Sequence, residues 1–289
     1  LVAEAFWMME GYFVRTLGMH RVYNSAFMIM LRNEDNEKYR YLIKNTLQFD
    51  PEILKRYVNF MNNPDERTAI EQFGDGDKYF GICTLMATMP GLPMFGHGQI
   101  EGFTEKYGME YRRAYLDEKV NQGLVDRHKW EIFPLLRQRK LFSGVENFLL
   151  YDFSTPDRGI NQNVFAFSNR LGNEKALVIY NNKYESTRGW IRESSPKMVK
   201  HQDEGSHKLV QKTLGEGLDL HNEPGYYVIL HDQANRLEYI RSCQELFNQG
   251  FYVELGAFQK HVFNRIEEIR DDQDGRFGRL CEYLHGNGV

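Results

Sequence analysis

The spacing of apolar residues changes at about Val145, and that change constrains the fold more than any other feature of the chain. Before it, short apolar segments at residues 1–6, 19–24, 57–61 and 92–96 read as strands. They alternate with helical spacing at 8–17, 25–47, 77–88 and 126–140. Gly18, Asp50-Pro51 and Pro90-Gly91 punctuate the helices. Strand-helix alternation of this kind is the pattern of parallel βα units. After Val145, alternating runs at 148–153, 164–168, 176–181, 189–192, 208–214 and 226–231 are separated by Gly, Asn, Pro and Ser clusters, the signature of an antiparallel β module. Helices are expected at 234–248 and 277–284. The organisation expected is an α/β unit over residues 1–144, an antiparallel β-sandwich over 145–232 and a mixed C-terminal appendix over 233–289.

Composition narrows the function. The chain has 289 residues, 42% hydrophobic and 26% charged, which is ordinary for a globular protein with a sizeable core. The balance of 36 Lys and Arg against 40 Asp and Glu lacks the basic excess that holds a phosphate backbone, so nucleic acid is not an expected partner. No apolar run approaches the ~18 residues of a membrane span. Cys83, Cys243 and Cys281 are odd in number and widely spaced, which points away from a disulfide framework or zinc site and toward a reducing, cytoplasmic setting. The chain opens at Leu1 within an apolar run and stops in a Gly-rich turn, and both ends are expected to be cut from a longer protein.

Chemistry concentrates where strands end. Glu4 follows L-V-A, Asp65 lies in N-F-M-N-N-P-D-E-R, and residues 91–102 form the loop G-L-P-M-F-G-H-G-Q-I-E-G. In parallel βα architectures the C-terminal strand ends meet on one face, so residues about sixty apart in sequence can share a site. Two carboxylates there, one kept protonated and one ionised, are what glycosidic bond cleavage requires. Phe6 and Trp7 would supply the apolar wall beside Glu4. Read alone, Glu4 is a strand-end carboxylate of the kind that more often forms an ion pair, and Asp65 is a turn or N-cap residue. His97 and Glu101 lack a third ligand nearby, and the loop lacks a phosphate-binding fingerprint. Neither a metal nor an organic cofactor is expected.

The order L-V-A-E-A-F-W, V-N-F-M-N-N-P-D-E, G-L-P-M-F-G-H-G-Q-I-E-G, then a helix with L-L-R-Q-R-K and a β module, resembles the second half of the α-amylase superfamily, glycoside hydrolase family 13. The resemblance is carried by residues 1–140 and extends to the β module in topology only. It implies strands five to eight of a (β/α)8 TIM barrel followed by the all-β domain. It places the general acid/base at Glu4, the transition-state-stabilising Asp at Asp65, and substrate contacts at Trp7 and Asn63. The implied protein is a retaining α-glucan-active hydrolase or transglycosylase.

Two departures qualify the resemblance. Pro64 stands where the family carries a sugar-binding His. The family's nucleophilic Asp belongs to the fourth strand, upstream of Leu1, so the chain is expected to need the upstream half-barrel of its own parent for catalysis. The alternative is a non-catalytic carbohydrate-binding or scaffolding relative that kept the fold. A barrel split before the fifth strand is expected to expose Val2, Val58, Phe60 and Met94.

Overall fold

A computed structural model describes residues 1–4, 9–106, 112–200 and 207–289. The chain divides into two compact units, Leu1–Thr46 with Pro51–Ser143, and Leu47–Asp50 with Gly144–Val289.

The first unit is built on a four-stranded sheet of β1 (Val2–Ala3), β2 (Arg21–Tyr23), β3 (Tyr57–Phe60) and β4 (Leu92–Met94), in chain order. All three pairings are parallel, as the strand-helix alternation predicts. Strands and helices fall close to their expected positions. The helix Asp77–Thr88 matches its expected range and buries every residue from Tyr79 to Thr88. Buried amides tie the strands together from within. Asn24 Nδ2 donates to Asn59 Oδ1 at 2.9 Å, Asn59 Nδ2 donates to the Pro90 carbonyl at 3.1 Å, and Asn24 Oδ1 caps the next helix by accepting from Phe27 N at 3.2 Å.

Strand register sorts the side chains onto two faces. Ala3, Val22, Tyr57 and Asn59 share one face and are all buried. Val2, Arg21, Tyr23, Val58, Phe60, Leu92 and Met94 share the other, the face that lines the interior of a closed barrel. On it the edge strands are open: Val2 is 57% exposed and Leu92 44%. The expectation for Val58 and Phe60 is corrected, because both are buried on the inner strand β3, where the Tyr23 ring lies 5.2 Å from that of Phe60.

Three helical expectations also change. The stretch 25–47 is two helices, Ser25–Arg32 and Asn36–Phe49, broken where Glu34 takes a positive φ of 59°. The helix expected at 126–140 starts earlier, at Gln122, under an Asn121 cap, and passes through a π turn at His128–Ile132 before Phe133–Arg137 and Arg139–Ser143. Pro134 explains the widening, since it has no N–H to give and its ring crowds the preceding turn. Two short helices, Glu52–Arg56 and Ala69–Phe73, carry too few residues to show a helical period.

The second unit is one antiparallel sheet of eight strands in the order β12-β11-β14-β7-β6-β5-β8-β13. These are β5 (Leu149–Ser154), β6 (Val164–Leu171), β7 (Glu174–Asn181), β8 (Thr187–Ser194), β11 (Tyr226–Asp232), β12 (Glu238–Ser242), β13 (Phe251–Leu255) and β14 (Lys260–Arg270); β9 (Lys197–Lys200) and β10 (His207–Val210) pair antiparallel in a separate two-stranded sheet. The sheet curls until its end strands face one another. Phe251 of β13 packs edge-on against Phe263 of β14 at 5.6 Å, and Arg241 of β12 lies 5.1 Å over the Phe251 ring. Both layers of the expected sandwich are therefore parts of one sheet around one core, which includes Tyr151, Phe153, Leu177, Ile191, Leu230 and Phe263.

The C-terminal stretch 233–289 mixes strand and helix as expected, but β12, β13 and β14 pair within this sheet, so it is no separate appendix. The helix expected at 234–248 is β12 followed by the helix Cys243–Asn248. A turn intervenes, with Asp232 accepting from Ala234 N, Asn235 accepting from Leu237 N, and Arg236 at φ 64°. The charged run 265–276, expected as a solvated face and turn, is half strand: β14 extends to Arg270, with Ile266 buried between exposed Arg265 and Glu267. The run expected at 208–214 ends as strand at Val210, and a capping box between Thr213 and Glu216 starts the helix Leu214–Gly217 instead.

Candidate active site

Because β1, β3 and β4 run parallel, the segments leaving their C-terminal ends emerge on one end of the sheet. Glu4 is the first residue after β1 and is exposed. With β2 between them, β1 and β3 stand two strand spacings apart, about 10 Å. Trp7, the expected sugar-facing aromatic, lies outside the described residues.

After β3 the chain makes a tight turn that Asn63 organises. Its Oδ1 accepts from Asp65 N at 3.0 Å and from Glu66 N at 2.9 Å, so the buried carboxamide orients the Asp65 backbone. Lys106 Nζ holds the Asp65 carbonyl at 2.7 Å. The Asp65 side chain is exposed beside exposed Pro64. Asn63 thus serves the turn through its oxygen, whereas the resemblance gave it to substrate.

The loop after β4 is fitted to this turn. Gly96 lies so close to Asn62 that a Cβ there would come 2.4 Å from the Asn62 Oδ1, and that oxygen is buried with no hydrogen bond among the described residues. Gln99 closes the loop on itself by accepting from Gly96 N at 3.1 Å. Its backbone carbonyl accepts from Tyr79 Oη at 2.8 Å, and Tyr79 lies 3.1 Å from His128 Nε2, whose Nδ1 faces the Leu124 carbonyl at 2.9 Å. Burial is the main cause that pushes the His128 imidazole down from its usual range. At the opposite end of β4, Arg139 donates to the carbonyls of Ala87, Met89 and Gly91, and burial, with Arg21 adding to it, pushes its guanidinium down to about 10.

Between the two loops is a depression of about 30 Å³ lined by Asn62, Asn63, Thr68, His97 and Lys106 among others. That volume holds about one water, and neither Glu4 nor Asp65 lines it. The structure therefore brings Asn63 to Asp65 and sets Glu4 and Asp65 at the same sheet end, both facing solvent. Sequence reasoning missed the Tyr79–His128 support and the Lys106 contact. Gln99 was visible as part of the loop motif, while buried His128 carries no signal beyond its place in a helix.

No family model and no curated protein matches the sequence. Solved structures do match in fold. The native Nostoc punctiforme debranching enzyme aligns with a TM-score of 0.60 at 16% identity, covering 91% of this chain and 51% of that one. An α-amylase from Geobacillus thermoleovorans complexed with acarbose aligns at 0.56 and 12%, covering 94% and 54%. An Anoxybacillus α-amylase aligns at 0.53 and 13%, covering 94% and 52%. The chain spans about half the length of the structures it matches.

Proposed function

With the fold of the C-terminal half of an α-amylase-type barrel and its β domain, we propose that this chain is part of a retaining α-glucan-active hydrolase or transglycosylase. The observation that carries the reading is the set of three motif-bearing segments, at Glu4, Asn63–Asp65 and Gly91–Gly102, leaving one end of a parallel sheet in the order the resemblance implies. Glu4 protonates the departing glycosidic oxygen and then takes a proton from the acceptor. The Asp65 carboxylate lies against sugar hydroxyls and the positive charge that develops at the anomeric carbon. Trp7 and the Asn63 amide nitrogen, whose oxygen is taken up by the turn, contact substrate, and the nucleophilic carboxylate comes from an upstream half-barrel.

Both carboxylates face solvent, and a general acid needs apolar cover to stay protonated near neutrality. The upstream half would provide that cover across the open face that carries Val2 and Leu92. The likeness of the matched amylases, one of them complexed with acarbose, supports an oligosaccharide substrate. None of the three cysteines is in a disulfide, and we place the protein in the cytoplasm. Among the described residues, no helix is long and apolar enough to cross a membrane.

The rival reading is a carbohydrate-binding relative without chemistry, motivated by Pro64 in the position of the family's His. The test is glucan cleavage by the whole protein carrying Asp65→Asn. Loss of a preorganised charge at the transition state predicts a fall in kcat of about 10²–10³-fold. An unchanged rate contradicts the role, and an inactive parent protein favours the rival.

A further inference from the structure

The β domain carries a cleft that the proposed reaction does not use. It lies between the two end strands of the curled sheet, β12 and β13, and has a volume of about 800 Å³, within the range of small-molecule sites. Glu254 and Gln259 also line an adjoining hollow of about 540 Å³ that runs past Thr155 and Arg188. The two form one groove along β13, whose five residues span about 17 Å.

Its deepest groups are held rigidly. His261 Nδ1 lies 2.6 Å from Asp232 Oδ2, while Asp232 Oδ1 accepts from Val262 N and Ala234 N, both at 2.9 Å. That carboxylate is fully buried and its bonding is complete, so it fixes the imidazole. His261 Nε2 makes no hydrogen bond among the described residues, and the residue lines the cleft. Arg241 spans the Tyr239 and Phe251 rings at 5.9 and 5.1 Å. Its guanidinium donates to the carbonyls of Ile240 and Gly286 and forms no ion pair among the described residues, which leaves N–H groups unspent.

Charge decides what the groove suits. A free anion would meet Glu245 and Glu254, and a cation would meet Arg241. Glu254 accepts from Tyr252 Oη at 2.6 Å and faces Arg188 across the strand pair, and burial pushes the Glu245 carboxyl up. A near-neutral lining that offers both donors and acceptors beside aromatic surface is the complement of a neutral molecule rich in hydroxyls. Its extended shape suits a linear one. We propose that the groove between β12 and β13, with Arg241, His261, Glu254 and Gln259 as its polar contacts, binds a neutral linear oligosaccharide apart from the barrel site. The ligand class rests on the groove alone; the choice of an α-glucan as first probe rests on the proposed function.

The test is calorimetric titration of the full chain with maltoheptaose, and in parallel with cellohexaose and inorganic phosphate. The chain carries Glu4→Gln and Asp65→Asn so that no sugar is cleaved, and the groove variants distinguish binding in the groove from binding at the barrel end. Saturable maltoheptaose binding is expected, weakened at least tenfold by Glu254→Ala at an exposed position and by Arg241→Gln, with slowed amide exchange over 251–255. An unchanged melting temperature for Glu254→Ala separates lost binding from lost folding. Binding of cellohexaose but not maltoheptaose supports the groove and contradicts the α-glucan reading. Absence of any sugar binding, preference for phosphate, or binding indifferent to both groove variants overturns the proposal, whatever the outcome of the cleavage assay on the parent protein.

Discussion

The two units solve the problem of sheet edges in opposite ways. In the parallel unit the strands have two to four residues and the end strands leave Val2 and Leu92 in solvent. In the β domain β14 alone has eleven residues, and the sheet curls until its end strands face one another around a shared core. Short parallel strands gain little from their own ladders, so the first unit depends on what packs behind them, above all the helix Asp77–Thr88. The antiparallel sheet makes its core from its own two halves. The comparison teaches that the proposed chemistry falls on the less self-sufficient unit, at strand ends whose positions rest on loops and buried polar clips.

Close backbone packing gives the sharpest way to break each unit separately. At Gly91, with φ 105°, a Cβ would lie 2.5 Å from the Tyr57 carbonyl oxygen, and at Gly189 it would lie 2.2 Å from that of Ser154. Gly91→Ala is expected to cost the parallel unit about 3 kcal/mol or more, because both backbone conformation and contact are violated. Gly189→Ala should cost the β domain a similar amount. Amide exchange resolved by segment should show each loss confined to its own unit; a global loss from either variant contradicts their separateness.

Acidification should weaken the parallel unit through His128. Its folded-state pKa lies below that of the unfolded chain, so on acidification the unfolded state takes up this proton first. The contribution is complete above the ordinary histidine range and is lost as pH falls below about 6.5. His128→Gln should flatten the pH dependence of exchange in the loop Gly91–Gly102 between pH 7 and 5, and an unaltered slope would refute the assignment.

Glu10 carries the smallest expected effect, of opposite sign. Its buried Oε1 has no hydrogen-bond partner among the described residues, and burial pushes the carboxyl up. Stability from this group is full below the ordinary glutamate range and is lost as pH rises through the raised folded value. Glu10→Gln should therefore stabilise the parallel unit at pH 7 by about 1 kcal/mol, by removing a buried charge. Destabilisation on thermal melting would contradict this.

How far the sequence disclosed the fold follows from the kind of signal each element carries. The helix Asp77–Thr88 and β4 are bounded by Gly and Pro, β1 and β3 are short apolar runs, and all four stand out from local pattern. β12 was misread because R-L-E-Y-I-R-S mixes charged and apolar residues on a short edge strand, where helical and strand periods are hard to separate. β13 and β14 went unread because their partners, β8, β7 and β11, lie tens of residues away and pairing is not a local property. At the site, Glu4, Asp65 and the 91–102 loop were legible as motifs. That Asn63 spends its oxygen on the turn, and that Gly96 exists to admit Asn62, depends on contacts no spacing reveals.

The central claim is that Glu4 is the proton donor at the barrel's C-terminal end. The direct measurement compares Glu4→Gln with the unaltered whole protein on two substrates, a malto-oligosaccharide and an aryl α-glucoside with a dinitrophenolate leaving group. A glutamine cannot protonate a poor leaving group, so kcat/KM for glucan cleavage should fall about 10²–10⁴-fold, while kcat/KM for dinitrophenolate release, which reports the glycosylation step alone and needs no proton, is largely retained. Equal losses on both substrates, or none on either, would contradict the account.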